Sequence, residues 1–186
     1  MVAVSQPIAA DTIEARLRAL EQQAAQRRAQ VCLACFSGDW DRLFAALSIA
    51  TSALATGKEV HLFFSFWAVS ALRKQSRSRR GGRSLCQRLL GWALPCGPRQ
   101  APLSRAHLGG LGKAMLRREM SRHGVEDIDV LLREVKELGG HIYLCETSAE
   151  LFGLGPEEID NAAEIERCGA TTFIATACKS EAVLFI

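Results

Sequence analysis

One cysteine of this chain stands at a position suited to nucleophilic chemistry. Cys145 closes the apolar, strand-like run 141–144 and is followed by Glu146, Thr147 and Ser148, which begin a helical pattern. In a parallel α/β protein such a junction lies at the carboxyl edge of the sheet, beside the free amides of the next helix. Because those amides favour an anion, the pattern predicts a thiolate at Cys145, stabilised at Thr147 and Ser148. A buried structural thiol is the alternative that these residues leave open.

The motif Cys32-x-x-Cys35 has the spacing of a redox pair but lies inside an apolar, strand-like run. Redox pairs of this spacing lie where a helix begins. Side chains three positions apart in a strand point to opposite faces, so a disulfide would break the strand pairing. No second Cys or His pair at ligand spacing follows, and we therefore expect neither a metal site nor a cofactor.

The chain has seven cysteines and no export signal at its start, which favours reduced thiols over a disulfide framework. Besides the three cysteines above, we interpret the remaining four as small structural thiols: Cys86, Cys96, Cys168 and Cys178.

Two further loops could bind an anion. Ser37 and Gly38 follow the first strand-like run, and their amides are expected at the same sheet edge as Cys145. The loop 102–113 offers two cations, Arg105 and His107, among several glycines. It does not match the nucleotide phosphate loop, since Ala114 follows Lys113 where Ser or Thr is required.

The segments that must position these residues alternate between strand and helix. Strand-like runs are predicted at 31–36, 59–64, 141–144 and 182–186, and helical patterns at 43–54, 113–122, 127–138 and 159–179. Because the strand runs are almost continuously apolar, they indicate a parallel sheet covered on both faces, and the fold class is α/β. Residues 75–112, rich in Arg, Gly and Pro, are interpreted as an insertion.

The first 29 residues are predicted to form a helical extension of a domain that spans residues 30–186. Asp11 to Arg28 is a polar helical segment, and its apolar positions recur at alternating steps of four and three: Ile13, Leu17, Leu20 and Ala24. The apolar side chains of this narrow seam need another surface to pack against. Docking on the body of the same subunit and a short intersubunit coiled coil both satisfy it.

Composition describes a globular protein, with 48% hydrophobic and 23% charged residues among 186. The longest apolar stretch, residues 60–72, is shorter than the roughly 20 residues that a membrane span needs. We expect a cytoplasmic protein, and the net charge of +3 gives no reason to expect a nucleic-acid partner.

Positive charge is concentrated in one run of eleven residues that holds six cations and no carboxylate: Arg73, Lys74, Arg77, Arg79, Arg80 and Arg83. We interpret the run as a solvated loop. Together with the apolar positions that follow, up to Leu94, it could instead contact an acidic partner or a membrane surface through residues 73–94.

Motifs distributed along the chain resemble those of the DsrE/DsrF-like family. They are Phe36-Ser-Gly-Asp-Trp-Asp-Arg42, Phe63-Phe-Ser-Phe-Trp67 with Ala71-Leu-Arg-Lys74, the loop Pro102 to Gly112, Cys145-Glu-Thr-Ser148 with Leu151-Phe-Gly-Leu154, Cys168-Gly-Ala-Thr-Thr-Phe173 and Val183-Leu-Phe-Ile186. The resemblance covers roughly residues 30 to 186. It is closest to the long-insert subgroup, whose members are often described as peroxiredoxin-like or as sulfurtransferases.

This resemblance implies a three-layer, mostly parallel α/β fold of a flavodoxin-like variety, usually in homo-oligomers. It also implies sulfur relay, in which Cys145 carries a persulfide or a thiosulfonate and exchanges it with carrier proteins such as the TusA type. Arg105 and His107 are then the candidate cations for a sulfonate. The loop departs from the subgroup, which often has Met-Asn-Met where this chain has Ala106, His107 and Leu108. Whether the protein is a carrier or a true enzyme stays open.

Two functions of other classes remain as alternatives. The first is a module without chemistry that binds flavin, nucleotide or another small ligand at the carboxyl edge of the sheet. The second is a scaffold subunit whose basic insertion contacts a membrane or a partner.

Overall fold

The computed structural model of the protein describes residues 13–19, 21, 29–74, 84–105 and 111–186. It confirms an α/β fold. The strands are β1 (Gln30–Cys35), β2 (Glu59–Phe64), β3 (His141–Cys145), β4 (Glu166–Cys168) and β5 (Ala182–Phe185), and the helices of this sheet domain are α1 (Trp40–Ala55), α2 (Leu85–Ala93), α3 (Leu111–Arg122), α4 (Ile128–Glu137), α5 (Glu146–Leu151) and α6 (Ala170–Ala177). Short 3₁₀ turns lie at Phe66–Leu72, Pro98–Gln100, Pro156–Glu158 and Ala162–Glu164.

The five strands form one parallel sheet in the order β4-β3-β2-β1-β5. Since the strands are parallel, their carboxyl ends share one edge. The register aligns Cys35 with Phe64, Phe64 with Leu144, and Cys145 with Cys168. The end of β3 therefore lies between the ends of two neighbouring strands.

The sheet separates two apolar clusters. On one face, α1 and α4 cover the larger core, which includes the fully buried Leu33 and Leu62. Full burial of one such leucine contributes about 1.5–3 kcal/mol. On the other face, Phe63 and Tyr143 pack against Phe173 of α6. Helices thus flank the sheet on both sides, in three layers.

The first helix begins earlier than predicted. Its pattern starts at Leu43, but α1 begins at Trp40, which is 1% exposed and stacks on Phe44 at a ring-centroid distance of 5.6 Å. The apolar ring extends the buried face of the helix by one turn. Two other helices have side-chain caps: Ser84 and Gln87 form a capping box on α2, and Asp127 accepts the N–H of Ile128 on α4.

The prediction of one continuous helix over 159–179 is wrong. That stretch contains a 3₁₀ turn, the strand β4 and only then the helix α6. Gly169 is the N-cap residue of α6, and the residues before it pair with β3 through Cys145 and Cys168. Sheet pairing therefore overrides a local pattern that favours a helix.

The basic run is not entirely a solvated loop. Arg73 is 3% exposed, donates hydrogen bonds to the carbonyls of Gly91 and Leu94, and forms an ion pair with the fully buried Glu158. Arg73 thereby ties α2 to the body of the domain. Lys74 is exposed, and the other cations of the run, at 77, 79, 80 and 83, lie outside the described residues.

The N-terminal seam is described only in part. Residues 13–19 are helical, and Ile13 and Leu17 are exposed, whereas Leu20 and Ala24 lie outside the described residues. The choice between docking and a coiled coil therefore stays a prediction. Among the helices described, none combines the length and the apolar character that crossing a membrane requires.

Candidate thiol site

Cys145 occupies the last position of β3 and is the N-cap residue of α5. Its side chain is partly exposed. The position agrees with the sequence analysis, because the strand delivers the sulfur to the carboxyl edge and the chain turns at once into a helix. The amides of Thr147 and Ser148 consequently face the sulfur.

Two opposing influences act on the pKa of the Cys145 thiol. Burial is the largest single one, and it raises the pKa. Hydrogen bonds from the hydroxyl and amide of Ser148, the hydroxyl of Ser65 and the amide of Thr147 lower it. Together they outweigh burial, so that the pKa lies below that of an ordinary thiol. The site therefore favours the thiolate, the nucleophilic form of cysteine.

Ser65 is the site residue that sequence analysis missed. It directly follows β2, and its Oγ lies 3.1 Å from the Oγ of Ser148, which also accepts the N–H of Phe66 at 3.0 Å. Ser148 is 3% exposed and is held between the sulfur and the β2 turn. The available signal was topological: β2 and β3 are neighbours in a parallel sheet, so the residue after each strand ends near the same point.

Phe66 adopts a backbone conformation that few residues other than glycine take. Its φ is +46°, in the left-handed region. Such a conformation costs on the order of 1–3 kcal/mol and is retained where surrounding contacts enforce it. Here the Phe66 N–H is held by Ser148, so the strained turn and the thiol share one hydrogen-bond network.

The sulfur opens into an apolar cavity of about 350 Å³. Its walls come from the ends of four strands, the β2 turn and α6: Ala34, Cys35, Phe36, Phe63, Ser65, Phe66, Cys145, Ala170, Phe173 and Phe185. Five of these ten residues are phenylalanines, and none of these lining residues is charged. The cavity suits a small, polarisable, weakly charged group.

Ser37 and Gly38 line a different cavity, of about 340 Å³, together with Trp67 and Pro102. Gly38 is required by close packing, since a Cβ there would lie 2.7 Å from the carbonyl oxygen of Trp67. The Ser37 hydroxyl donates to Asp39. The structure thus joins Cys145 with Thr147 and Ser148 in one site. Ser37 and Gly38 line a separate cavity, and their predicted role in binding an anion stays a proposal.

The two predicted cations are not among the residues that line the Cys145 cavity. Arg105 is exposed and follows Ser104, which bonds to Asp41 of α1. His107 lies outside the described residues. Their predicted contact with a sulfonate is therefore a proposal only.

The other cysteines differ from Cys145 in burial and in acidity. Burial raises the pKa of Cys32 and of Cys168 to about 11 and that of Cys35 to about 12. Cys32 and Cys35 belong to clusters on opposite faces of the sheet, as their spacing predicted. Cys86 and Cys178 are exposed, whereas Cys96 and Cys168 are buried; the interpretation of these four as structural thiols stays a prediction.

The fold and site define a parallel α/β protein with a thiol of lowered pKa at the carboxyl edge of its sheet. Comparison with known sequences is more specific: residues 27–185 match the DsrE/DsrF/DrsH-like family, and the chain belongs to it. Over 153 residues it is 31% identical to the uncharacterized protein YrkE of Bacillus subtilis (strain 168), covering 81% of this chain and 92% of that protein. It is 25% identical over 154 residues to the sulfur carrier protein DsrE2 of Allochromatium vinosum, covering 80% and 92%.

Proposed function

We propose that this protein is a cytoplasmic sulfur-relay protein that carries sulfane sulfur as a persulfide on Cys145. The observation that carries the proposal is a thiol whose pKa is lowered by four hydrogen bonds and which opens into an apolar cavity. Membership of the family and the similarity to a protein named as a sulfur carrier support a role in sulfur chemistry. The proposed exchange partners are small carrier proteins of the TusA type.

The relay needs two displacements at sulfur. The Cys145 thiolate attacks the outer sulfur of a donor persulfide, the donor's S–S bond breaks, and the donor leaves as a thiolate. The transferred sulfur keeps its proton, giving a perthiol on Cys145. An acceptor thiolate then attacks that outer sulfur and releases the Cys145 thiolate. Neither step consumes an oxidant or a reductant, and a stabilised Cys145 thiolate is both the attacking and the leaving group.

The cavity favours a persulfide over a thiosulfonate. A sulfonate brings a full negative charge, which needs cations or several hydrogen-bond donors when water is excluded. The described lining residues supply no cation, and Arg105 is not one of them. A perthiol that keeps its proton is neutral and can contact the aromatic rings of Phe63, Phe66 and Phe173.

The same lining argues against the flavin or nucleotide alternative. The phosphates of those ligands need cations or a cradle of backbone amides. This cavity supplies neither to a phosphate. Its lining residues are aromatic or otherwise uncharged, and the amides at Thr147 and Ser148 are directed at the sulfur.

Mass spectrometry of the thiols tests the proposal. Incubation of the reduced protein with inorganic polysulfide should add sulfur to the peptide that contains Cys145, and dithiothreitol should remove it. Tetrathionate, whose two ends are sulfonates, should modify Cys145 more slowly at the same concentration, because the described lining of the cavity has no cation to receive a sulfonate.

Matched variants make this experiment decisive. A Cys178→Ser variant should retain the adduct on Cys145, because Cys178 is exposed and lies outside the cavity. A Cys145→Ser variant should lose it. Equal sulfur loading of the Cys145→Ser variant and the wild type would overturn the assignment.

A second role, surface contact, is favoured by one feature of α2. Leu85, Leu89 and Trp92 recur at helical spacing and are 81%, 67% and 68% exposed. We propose that this stripe contacts a membrane or a partner while the opposite side of the helix packs on the domain. Flotation with anionic vesicles should be reduced by Leu89→Ser, and absence of flotation for the wild type would remove the membrane version.

A further inference from the structure

Two histidines and a glutamate form a cluster at the sheet edge opposite Cys145. Glu59 is the first residue of β2, His61 lies two positions later, and His141 is the first residue of β3. The register places His61 directly beside His141. Alternation along β2 puts Glu59 and His61 on the same face as Phe63, which is the face that α6 covers.

The polar atoms of this cluster converge. His61 Nε2 lies 3.2 Å and His141 Nε2 lies 3.6 Å from the same carboxylate oxygen, Oε1 of Glu59. The two imidazole rings are nearly parallel, with an interplanar angle of 12° and a centroid separation of 4.8 Å. Three potential ligand atoms therefore lie within 4.8 Å of one another.

His61 is buried but makes no hydrogen bond through Nε2. It is 7% exposed, and the Nε2 contact with Glu59 lacks hydrogen-bond geometry. Its other ring nitrogen, Nδ1, lies 3.3 Å from the hydroxyl of Tyr143. A tautomer that donates from Nδ1 to Tyr143 leaves a lone pair on Nε2, directed toward a carboxylate. In that tautomer two electron-rich atoms face each other, and they repel unless a proton or a metal cation lies between them.

Neighbouring side chains orient His61 and Glu59 by hydrogen bonds, as the residues around a metal site orient its ligands. Tyr143 orients His61 through Nδ1, and the side-chain amide of Gln30 donates to the second oxygen of Glu59 at 3.1 Å. Metal-bound histidines and carboxylates usually have such partners, which fix ring orientation and tautomer. Glu59 can thus present Oε1 inward while Oε2 is held by Gln30.

We propose that Glu59, His61 and His141 bind a divalent metal ion of the zinc class. Two imidazole nitrogens and one carboxylate oxygen are a known zinc set, with a fourth position open to water. Ligand atoms at 2.0–2.1 Å from a tetrahedral metal lie about 3.3 Å apart, and the two distances to Glu59 are close to this value. His141 is about half exposed, which gives the ion a path from solvent.

The site is separate from the thiol. His141 and Cys145 are the two ends of β3, and four residues of strand span about 13 Å. The ion would join β2 to β3 at their amino ends, away from the cavity. We expected no metal because no second Cys or His pair follows Cys32 and Cys35; the cluster escaped that search because His141 is distant in sequence and His61 is embedded in an apolar run.

Cobalt is the probe that tests this site. The full-length Cys145→Ser protein, stripped with a chelator and dialysed, should bind one equivalent of Co²⁺ and show the visible absorption of a tetrahedral ion, which Zn²⁺ then removes. His141→Ala should weaken binding at least 100-fold, and Gln30→Ala about 10- to 100-fold. His123→Ala is the matched control, since His123 is an exposed histidine paired with Glu119 on α3.

Thermal unfolding gives a second measurement, which does not depend on the visible absorption of the metal ion. An ion that binds only the folded state raises the unfolding midpoint, so Zn²⁺ should raise it in the wild type and in His123→Ala but not in His141→Ala. Equal binding by the wild type and His141→Ala, no binding by either, or an intense thiolate-to-cobalt charge-transfer band would each overturn the proposal. Sulfur loading of Cys145 is measured separately, and its outcome does not decide this one.

Discussion

Hydrogen bonding lowers the pKa of the Cys145 thiol. Sequence analysis could predict Cys145, Thr147 and Ser148 because they are consecutive at a strand-to-helix junction. It could not predict Ser65, which belongs to another strand and reaches the sulfur only when β2 and β3 pair. Local order thus predicts the cysteine and two of the three residues whose hydrogen bonds lower its pKa, and topology supplies the third.

Removal of the Ser148 hydroxyl should raise the pKa of Cys145. Ser148→Ala takes away the strongest of the hydrogen bonds that lower this pKa and leaves the burial that raises it. The pH midpoint of iodoacetamide alkylation at Cys145 should move upward, and the rate at neutral pH should fall severalfold. The exposed Ser52→Ala, whose hydroxyl bonds only within α1, should leave the midpoint unchanged. An equal shift in both variants would argue against this role of Ser148.

A buried ion pair joins two distant segments of the domain. Arg73 lies in the run that was interpreted as a solvated loop, and Glu158 directly precedes the helix predicted over 159–179, yet both are buried. Patterns of apolar residues predict strands and amphipathic helices well, as β2 and α4 show. They cannot predict a charged pair, since its burial depends on two segments meeting in space.

Neutralising Glu158 should destabilise the protein by about 3 kcal/mol, because Glu158→Gln leaves the Arg73 guanidinium buried beside an uncharged partner. Urea denaturation measures this loss. In the control, Glu119→Gln, the lost partner is Arg122 in an exposed pair, and the change should stay within about 0.5 kcal/mol. Similar midpoints for the two variants would show that the buried pair contributes little.

At the scale of the whole molecule, the two faces of the sheet differ. The face under α1 and α4 is closed by a large core, whereas Ile174 of α6 and Val183 and Phe185 of β5 are exposed beside the other cluster. From the continuously apolar strands we predicted that helices cover both faces of the sheet. The strands are as predicted, but which apolar positions stay exposed depends on the path of the chain between them.

The homo-oligomer that the family resemblance implies stays a prediction, and this exposed face is where we expect the contact. Phe185→Asp should lower the sedimentation coefficient of the protein in analytical ultracentrifugation, since a charge there opposes burial of an apolar surface. Leu138→Asp, at an exposed apolar residue after α4, should not. A monomeric wild type would contradict the expectation.

Alkaline pH should destabilise the protein through its buried thiols. Burial raises the folded-state pKa of Cys32 and Cys168 to about 11 and of Cys35 to about 12, against 9.0 for an unperturbed thiol. Above about pH 9 the unfolded chain loses protons that the folded protein keeps, so the free energy of unfolding falls as pH rises. Urea midpoints at pH 8 and pH 10 measure the effect. Cys35→Ala should show a smaller decrease than the wild type, while Cys86→Ser should match it.

The contrast among the thiols has a practical consequence for spectroscopy. Two cysteines, Cys86 and Cys178, are exposed, and three are buried with a raised pKa. Replacing the exposed pair by serine would leave Cys145 as the thiol that a compact fluorogenic reagent modifies first at neutral pH. A single reporter dye in the aromatic cavity would then show, by its emission, whether a protein partner binds at the cavity opening.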